Sequence, residues 1–247
     1  MKDKIIIIYD FDGTLTSYPR PKFELLEKCG LKEGLKDPLF QDSVKKIIEK
    51  DNLDFYDAFY QAFLSIIKES GYSLNDDNFS LGATSIKYNK GVLEFFQNLK
   101  QYNIDNYILS SGLKVFLERT SIAPLVNGIY ATVFTYDENS LVNGIEFLMS
   151  DKNKVFAIKD IMKKYNYTDC SNIIYIGDGL TDVYAMEYVK NNGGTTIFVY
   201  QDKNDQGISA MKEKGIVSFY TLADFSPNGE LYSSITKLNK LEPNHIL

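Results

Sequence analysis

Two aspartates one residue apart, Asp10 and Asp12, close an unbroken apolar run, Ile5-Ile6-Ile7-Ile8-Tyr9, and lead into Gly13-Thr14. Such a β-branched run ending in acids and a glycine has the pattern of a buried parallel strand entering a functional loop. On a continued pleat the two acids point apart. A turn after Tyr9 lets both face one ligand, as a carboxylate nucleophile or metal ligand beside a second carboxylate that handles protons. An acidic turn in which Asp and Gly serve only backbone geometry is the alternative. A second acidic pair lies in Gly177-Asp178-Gly179-Leu180-Thr181-Asp182, after the apolar run Ile173–Ile176. Two acids four residues apart around a glycine turn suit one divalent cation with an oxygen-rich shell, although Thr181 or Asp182 also suits a helix cap. Ser110-Ser111-Gly112 follows a third apolar run, and a hydroxyl with backbone amides there can hold the oxygens of an anion. Lys152 and Lys154 open a helical pattern just before the strand that reaches Asp178, and either ammonium could offset carboxylate repulsion.

The elements needed to bring these groups together follow from periodicity. Strands are expected at 5–9, 104–110, 128–135, 172–176, 195–200 and 216–220, with 140–149 as the return arm of a hairpin after Asp137-Glu138-Asn139. Helices are expected between them, at about 92–99, after Gly112, and at 152–165, 181–189, 207–214 and 229–238. This alternation implies a doubly wound, mainly parallel α/β sheet, in which ligands bind at the carboxyl ends of the strands. The acids, the serine and the following glycines all fall at such ends.

Residues 17–87 break the rhythm. They read as all-helical: a helix closing at Gly30, another from Pro38, and a third with Leu53, Tyr56, Phe59, Tyr60, Phe63, Ile66 and Ile67 at helical spacing before Gly71. A short further helix is expected between Asn75 and Tyr88. The expected organisation is a core of 1–16 and 88–247 carrying an inserted helical cap of 17–87. The aromatic stripe of the third helix either packs a bundle or lines a pocket.

Composition bounds the partners. A net charge of -6 and a pI near 5.0 argue against a nucleic-acid-binding face and stay compatible with a small phosphorylated substrate. The N-terminal apolar run stops at Asp10, too short for a signal segment or a membrane span. Cys29 and Cys170 show no pairing pattern and read as reduced thiols of a cytoplasmic protein. With two cysteines and a single histidine, His245, no zinc site can be assembled, and a position three residues from the C-terminus is a poor place for a catalytic base.

The order of Asp10, Asp12, Ser110, a lysine, Asp178 and Asp182, with a helical insert straight after the first motif, resembles the haloacid dehalogenase superfamily over nearly the whole chain. DxDGT and GDGxTD carry the specificity of that resemblance, whereas the serine and lysine motifs are generic. The resemblance implies a Rossmann-like core and Mg²⁺-dependent hydrolysis of a small phosphorylated metabolite. Asp10 is then the nucleophile that forms a phosphoaspartyl intermediate, and Asp12 the acid/base. Asp178 is the direct metal ligand, Asp182 a weaker one, and Asp10 and Asp12 share the metal site. Ser110 and Lys154, the lysine whose distance to Asp178 fits better than that of Lys152, hold phosphoryl oxygens. Ser111, Gly112 and Arg20 are candidate substrate contacts. Asp12 argues against a dehalogenase, and no P-type ATPase lysine or membrane span is present. The cap and GDG motif are similar to those of phosphoserine phosphatase-type members. A phosphomutase, or a non-catalytic binding protein of the same fold, is the alternative, and neither a nucleic acid, a membrane nor a required protein partner is expected.

Overall fold

The computed structural model describes residues 4–17, 24–80, 83, 86–202 and 206–237. Seven strands form one sheet in the order β4-β3-β2-β1-β5-β6-β7. They are β1 (Ile5–Tyr9), β2 (Ile104–Leu113), β3 (Gly128–Tyr136), β4 (Val142–Phe147), β5 (Ile173–Gly177), β6 (Thr195–Tyr200) and β7 (Phe219–Leu222). Every neighbouring pair is parallel except β3 and β4, the expected hairpin.

β1 lies at the centre, and its five residues are all buried. Their alternation divides them between two layers: Ile5, Ile7 and Tyr9 join one apolar cluster, Ile6 and Ile8 the other. The first layer is completed by α4 (Val92–Leu99), through Val92, Phe95, Phe96 and Leu99, and by α9 (Glu230–Lys237), through Leu231 and Ile235. The second is completed by α6 (Asn153–Lys164), α7 (Val183–Asn191) and α8 (Gln206–Lys214). A strand covered on both faces has no need of a polar side, which is why β1 reads as a pure apolar run.

The helical segment has a core of its own. α1 (Glu24–Lys28) precedes α2 (Pro38–Asp51), which starts on Asp37, whose carboxylate accepts from the Leu39 amide at 3.1 Å, with Pro38 preset for the first turn. α3 (Phe55–Ser70) starts on Asp54, which accepts from the amides of Tyr56 and Asp57, and stops at Gly71 with φ +69°. Phe40, Val44, Tyr60, Phe63 and Ile67 form its cluster, and Leu113 and Phe134 of β2 and β3 complete it. Phe63 and Phe134 stack at 6.2 Å and 13°, so these helices rest on the β3–β4 side of the sheet. The chain departs at Thr16 and returns at Tyr88 through an isolated antiparallel bridge, with the Ser17 amide donating to the Lys87 carbonyl at 2.9 Å.

Two expectations are corrected. β2 does not end at Ser110 but runs on to Leu113, because its pairing with β3 slips: Leu109 faces Tyr130 and Leu113 faces Thr132. Ser110-Ser111-Gly112 therefore sits in a bulge, and the helix after it, α5 (Lys114–Leu117), is a single turn. β7 begins at Phe219 rather than Ile216, whose carbonyl is occupied by the Thr196 hydroxyl at 2.7 Å. The short helix expected between Asn75 and Tyr88 is met in the described residues by a 3₁₀ turn, Asp76–Phe79, followed by helical Ser80 and Ala83, while Gly82 lies outside them.

Candidate active site

Asp10 stands one residue past β1, its amide donating to the Ile176 carbonyl of β5 at 2.8 Å. The parallel registers place Tyr9 beside Ile108 of β2 on one side and Ile176 of β5 on the other. Ser110 and Asp178, each a short step beyond those partners, thereby come level with the first acid. The backbone carbonyl of Phe11 then accepts from both the Leu15 and Thr16 amides, and Gly13 takes φ +88°, a left-handed conformation that a side chain would strain. This turn buries Phe11 in the core and directs Asp12 across the sheet end, its Oδ2 facing Gly112. Asn89 and Gln201 fix the loop by donating to the Gly13 carbonyl at 3.4 and 3.0 Å, and Asn89 also donates to Thr14 at 2.7 Å.

At the centre is Lys154, with a relative exposure of 0%. Its ammonium donates to Asp10 Oδ1 at 2.8 Å and to Asp182 Oδ1 at 2.7 Å. Lys152, two residues earlier, is exposed. Asp182 is held on both oxygens: Oδ1 also accepts from the Tyr175 hydroxyl at 2.6 Å, and Oδ2 accepts from the Gly179 amide at 3.2 Å, which leaves Oδ2 a free lone pair. A side chain on Gly177 would stand 2.4 Å from Asp182 Oδ2, so the glycine is what lets that carboxylate fold back beneath the strand. Asp178 Oδ1 accepts from the Thr14 hydroxyl at 3.0 Å, which joins the two acidic loops.

Asp10, Asp178 and Asp182 each bring a carboxylate oxygen within 4.8 Å of the others. Asp12 is not one of the three. Burial raises Asp10 well above the usual carboxylate range, Lys154 opposes this, and the charges of Asp182 and Asp178 add to the rise. Burial alone would lower Lys154, but Asp10 and Asp182 outweigh it and hold the ammonium above its ordinary value. We take the pair as an ion pair, since the 2.8 Å contact stabilises both charged forms. Three clustered carboxylates against one ammonium leave negative charge uncompensated, and hard oxygen donors match a magnesium-type cation. The residues present fit such an ion.

Ser110, with an exposure of 1%, accepts from the Gly112 amide at 3.0 Å, and its own O–H can donate elsewhere. The Ser111 carbonyl accepts from the Tyr60 hydroxyl of α3 at 2.7 Å and from Thr132 at 3.1 Å. The aromatic stripe of α3 thus both packs its bundle and reaches the sheet end. Arg20 and His245 lie outside the described residues. Sequence reasoning missed Thr14, Thr132 and Tyr175, ordinary strand and turn residues whose role is visible only through their partners.

Residues 7–187 match a family described as haloacid dehalogenase-like hydrolase. The chain belongs to that family. A pyridoxal phosphate phosphatase of Rattus norvegicus, PHOSPHO2, is 23% identical over 238 residues, covering 87% of this chain and 92% of its own. A 2-hydroxy-3-keto-5-methylthiopentenyl-1-phosphate phosphatase of Bacillus cereus is 26% identical over 191 residues, covering 73% and 78%. A solved structure of a phosphoserine phosphatase with a phospho-aspartyl intermediate analogue shares the fold, with a TM-score of 0.62, 18% identity and coverage of 96% and 99%. Among the described residues no helix is long and apolar enough to cross a membrane.

Proposed function

We propose that the chain is a divalent-metal-dependent phosphatase that hydrolyses a small phosphorylated metabolite through a phosphoaspartyl intermediate on Asp10. The observation that supports this most is the buried ammonium of Lys154 held between Asp10 and Asp182, with Asp178 alongside. An anionic nucleophile meeting an anionic phosphate is repelled, and such a site is built to cancel that repulsion.

The steps follow from the groups available. An Asp10 carboxylate oxygen attacks phosphorus as the ester P–O bond breaks, and Asp12 gives its proton to the departing alkoxide. Water then attacks the acyl phosphate, Asp12 takes a proton from it, and phosphate leaves with Asp10 restored. Lys154, oriented by Asp182, and the Ser110 hydroxyl hold phosphoryl oxygens. Asp10, Asp178 and Asp182 would hold a cation of the Mg²⁺ type, which when bound offsets charge on the phosphoryl group. The helices between residues 17 and 87 act in this reading as a cap that closes over the sheet end. A cytoplasmic location belongs to the same proposal, and the free thiols Cys29 and Cys170 support it.

The test is release of p-nitrophenol from p-nitrophenyl phosphate with Mg²⁺, with and without chelator, in the wild type and in Asp10→Asn. Metal-dependent turnover that disappears in the variant, with a hydroxylamine-sensitive phosphoenzyme in the wild type, is expected. A chain with no metal-dependent release from this or any phosphorylated compound is a binding protein instead.

A further inference from the structure

One part of the sheet end is not used by the steps above. Ser111 is pinned from both sides through its carbonyl, yet its Oγ is buried with no hydrogen-bond partner. Asp151, three residues before Lys154, has a buried Oδ1 that is likewise without one. The Tyr56 hydroxyl, from the first turn of α3, faces both Ser111 and Asp151 without a well-formed hydrogen bond to either buried atom, and it feels the charges of Asp151, Lys154 and Asp10. Buried polar atoms without partners are rare and lower stability, so their presence together at a reaction centre calls for a ligand that satisfies them.

The chemistry of that ligand follows from what each atom can do. An ionised carboxylate only accepts, and a hydroxyl both accepts and donates. The ammonium facing this region, that of Lys154, is engaged by Asp10 and Asp182. A substrate carboxylate would therefore meet the charge of Asp151, and the cation that acts on Asp151, Lys154, is already engaged, whereas an O–H or N–H would find acceptors.

Resting on the phosphatase reading, we propose that Tyr56, Ser111 and Asp151 form the subsite for the alcohol half of the substrate. It selects phosphomonoesters whose alcohol carries a hydrogen-bond donor close to the ester, and it rejects those carrying a carboxylate there. An ammonium and a hydroxyl are the two sources of that donor.

Four phosphates of similar size test this with Mg²⁺ present: propyl phosphate, 2-hydroxyethyl phosphate, 2-aminoethyl phosphate and phosphoglycolate. The expected result is a kcat/KM for the better donor-bearing ester about tenfold or more above propyl phosphate, with phosphoglycolate lowest. Asp151→Ala brings that advantage to within about threefold, whereas Asp151→Asn does so only if the donor is an ammonium, because an amide oxygen still accepts from a hydroxyl. Tyr56→Phe, which deletes one oxygen from a half-buried side chain, cuts the same ratio by about threefold and serves if the alanine variant does not fold. A flat profile across the four esters overturns the subsite, as expected if the pocket holds only water. A preference for phosphoglycolate, or an equal loss on every ester in Asp151→Ala, overturns it too. Failure to hydrolyse p-nitrophenyl phosphate as well as all four esters overturns the phosphatase reading beneath it.

Discussion

Replacing Lys154 by methionine keeps the stem and deletes the charge. It leaves Asp10 and Asp182 facing each other, with side-chain exposures of 8% and 0%. Breaking a buried ion pair from one side costs about 3–5 kcal/mol, because the stranded charge stays buried. A second limit applies, since the variant can protonate one of the two acids instead. That costs about 1.4 kcal/mol for each pH unit above an ordinary carboxyl value near 3.9, hence about 5.6 kcal/mol at pH 8 and about 1.5 kcal/mol at pH 5. The full penalty is therefore expected at pH 8, and no more than roughly 1.5 kcal/mol of it survives at pH 5. The sign agrees with linkage: a carboxyl whose folded pKa is raised adds stability below its unfolded value and loses it as pH rises through the folded one. For a chain of this size 1 kcal/mol shifts Tm by about 2–4 °C, so the drop at pH 8 is on the order of 6–20 °C. Urea unfolding of both proteins without metal at the two pH values measures it. A loss below about 1 kcal/mol at pH 8, or a gap that widens toward pH 5, would refute the reasoning.

Asp12→Asn should leave substrate binding intact and lower kcat by about 10²–10⁴, the usual contribution of a positioned acid/base, and single-turnover kinetics on p-nitrophenyl phosphate would expose a normal kcat. Gly177→Ala drives a methyl group into the Asp182 carboxylate, so stability should fall by about 1–3 kcal/mol and activity by more than about tenfold, read by denaturation and phosphate release. Asp151 is pushed up to about 6, first by burial, so its contribution to stability is present below its unfolded pKa and is lost as pH rises through 6. Asp151→Asn should accordingly gain on the wild type between pH 4 and pH 8, by about 1 kcal/mol once its half-exposed position is discounted, and a Tm difference that stays constant with pH would contradict this. Mg²⁺ at about 100 times its Kd should stabilise the fold by about 2.7 kcal/mol and raise Tm, an effect that Asp178→Asn should largely remove.

The layers and the acids were legible in the sequence because both rest on local pattern. β1 shows its double burial as five apolar residues, and the ends of β1 and β5 announce themselves as the places where apolar runs stop before Asp10 and Gly177-Asp178. The identity of the inward lysine could be inferred from chain length to Asp178, and the structure places Lys154 rather than Lys152 against Asp10. What stayed hidden depends on pairing between distant segments. The extension of β2 through Ser111 to Leu113 is set by its slipped register against β3, which no run of residues within β2 encodes. Tyr175 looks like one more apolar strand residue until its hydroxyl is found on Asp182, and Asp151 looks like a solvated helix-start acid until its Oδ1 is found buried. Tyr60 carries both meanings at once, since its ring packs against Phe134 while its hydroxyl holds the Ser111 carbonyl.

The distribution of hydrogen bonds also separates the roles of two acids that the GDGxTD motif presents as a pair. Asp182 has a lysine, a tyrosine and a backbone amide on its two oxygens, and its position depends on the absence of a side chain at Gly177. A carboxylate so engaged is a fixed counter-charge, and what it fixes is the direction of the Lys154 ammonium toward Asp10. Asp178 is half-buried and tied through Thr14 to the loop that carries Asp10 and Asp12 rather than to the lysine. In the proposed mechanism the second acid of the motif would act chiefly through the lysine, and the first acid through the cation. That division is why one ammonium can serve two buried carboxylates in the free protein while the cluster as a whole still calls for further positive charge.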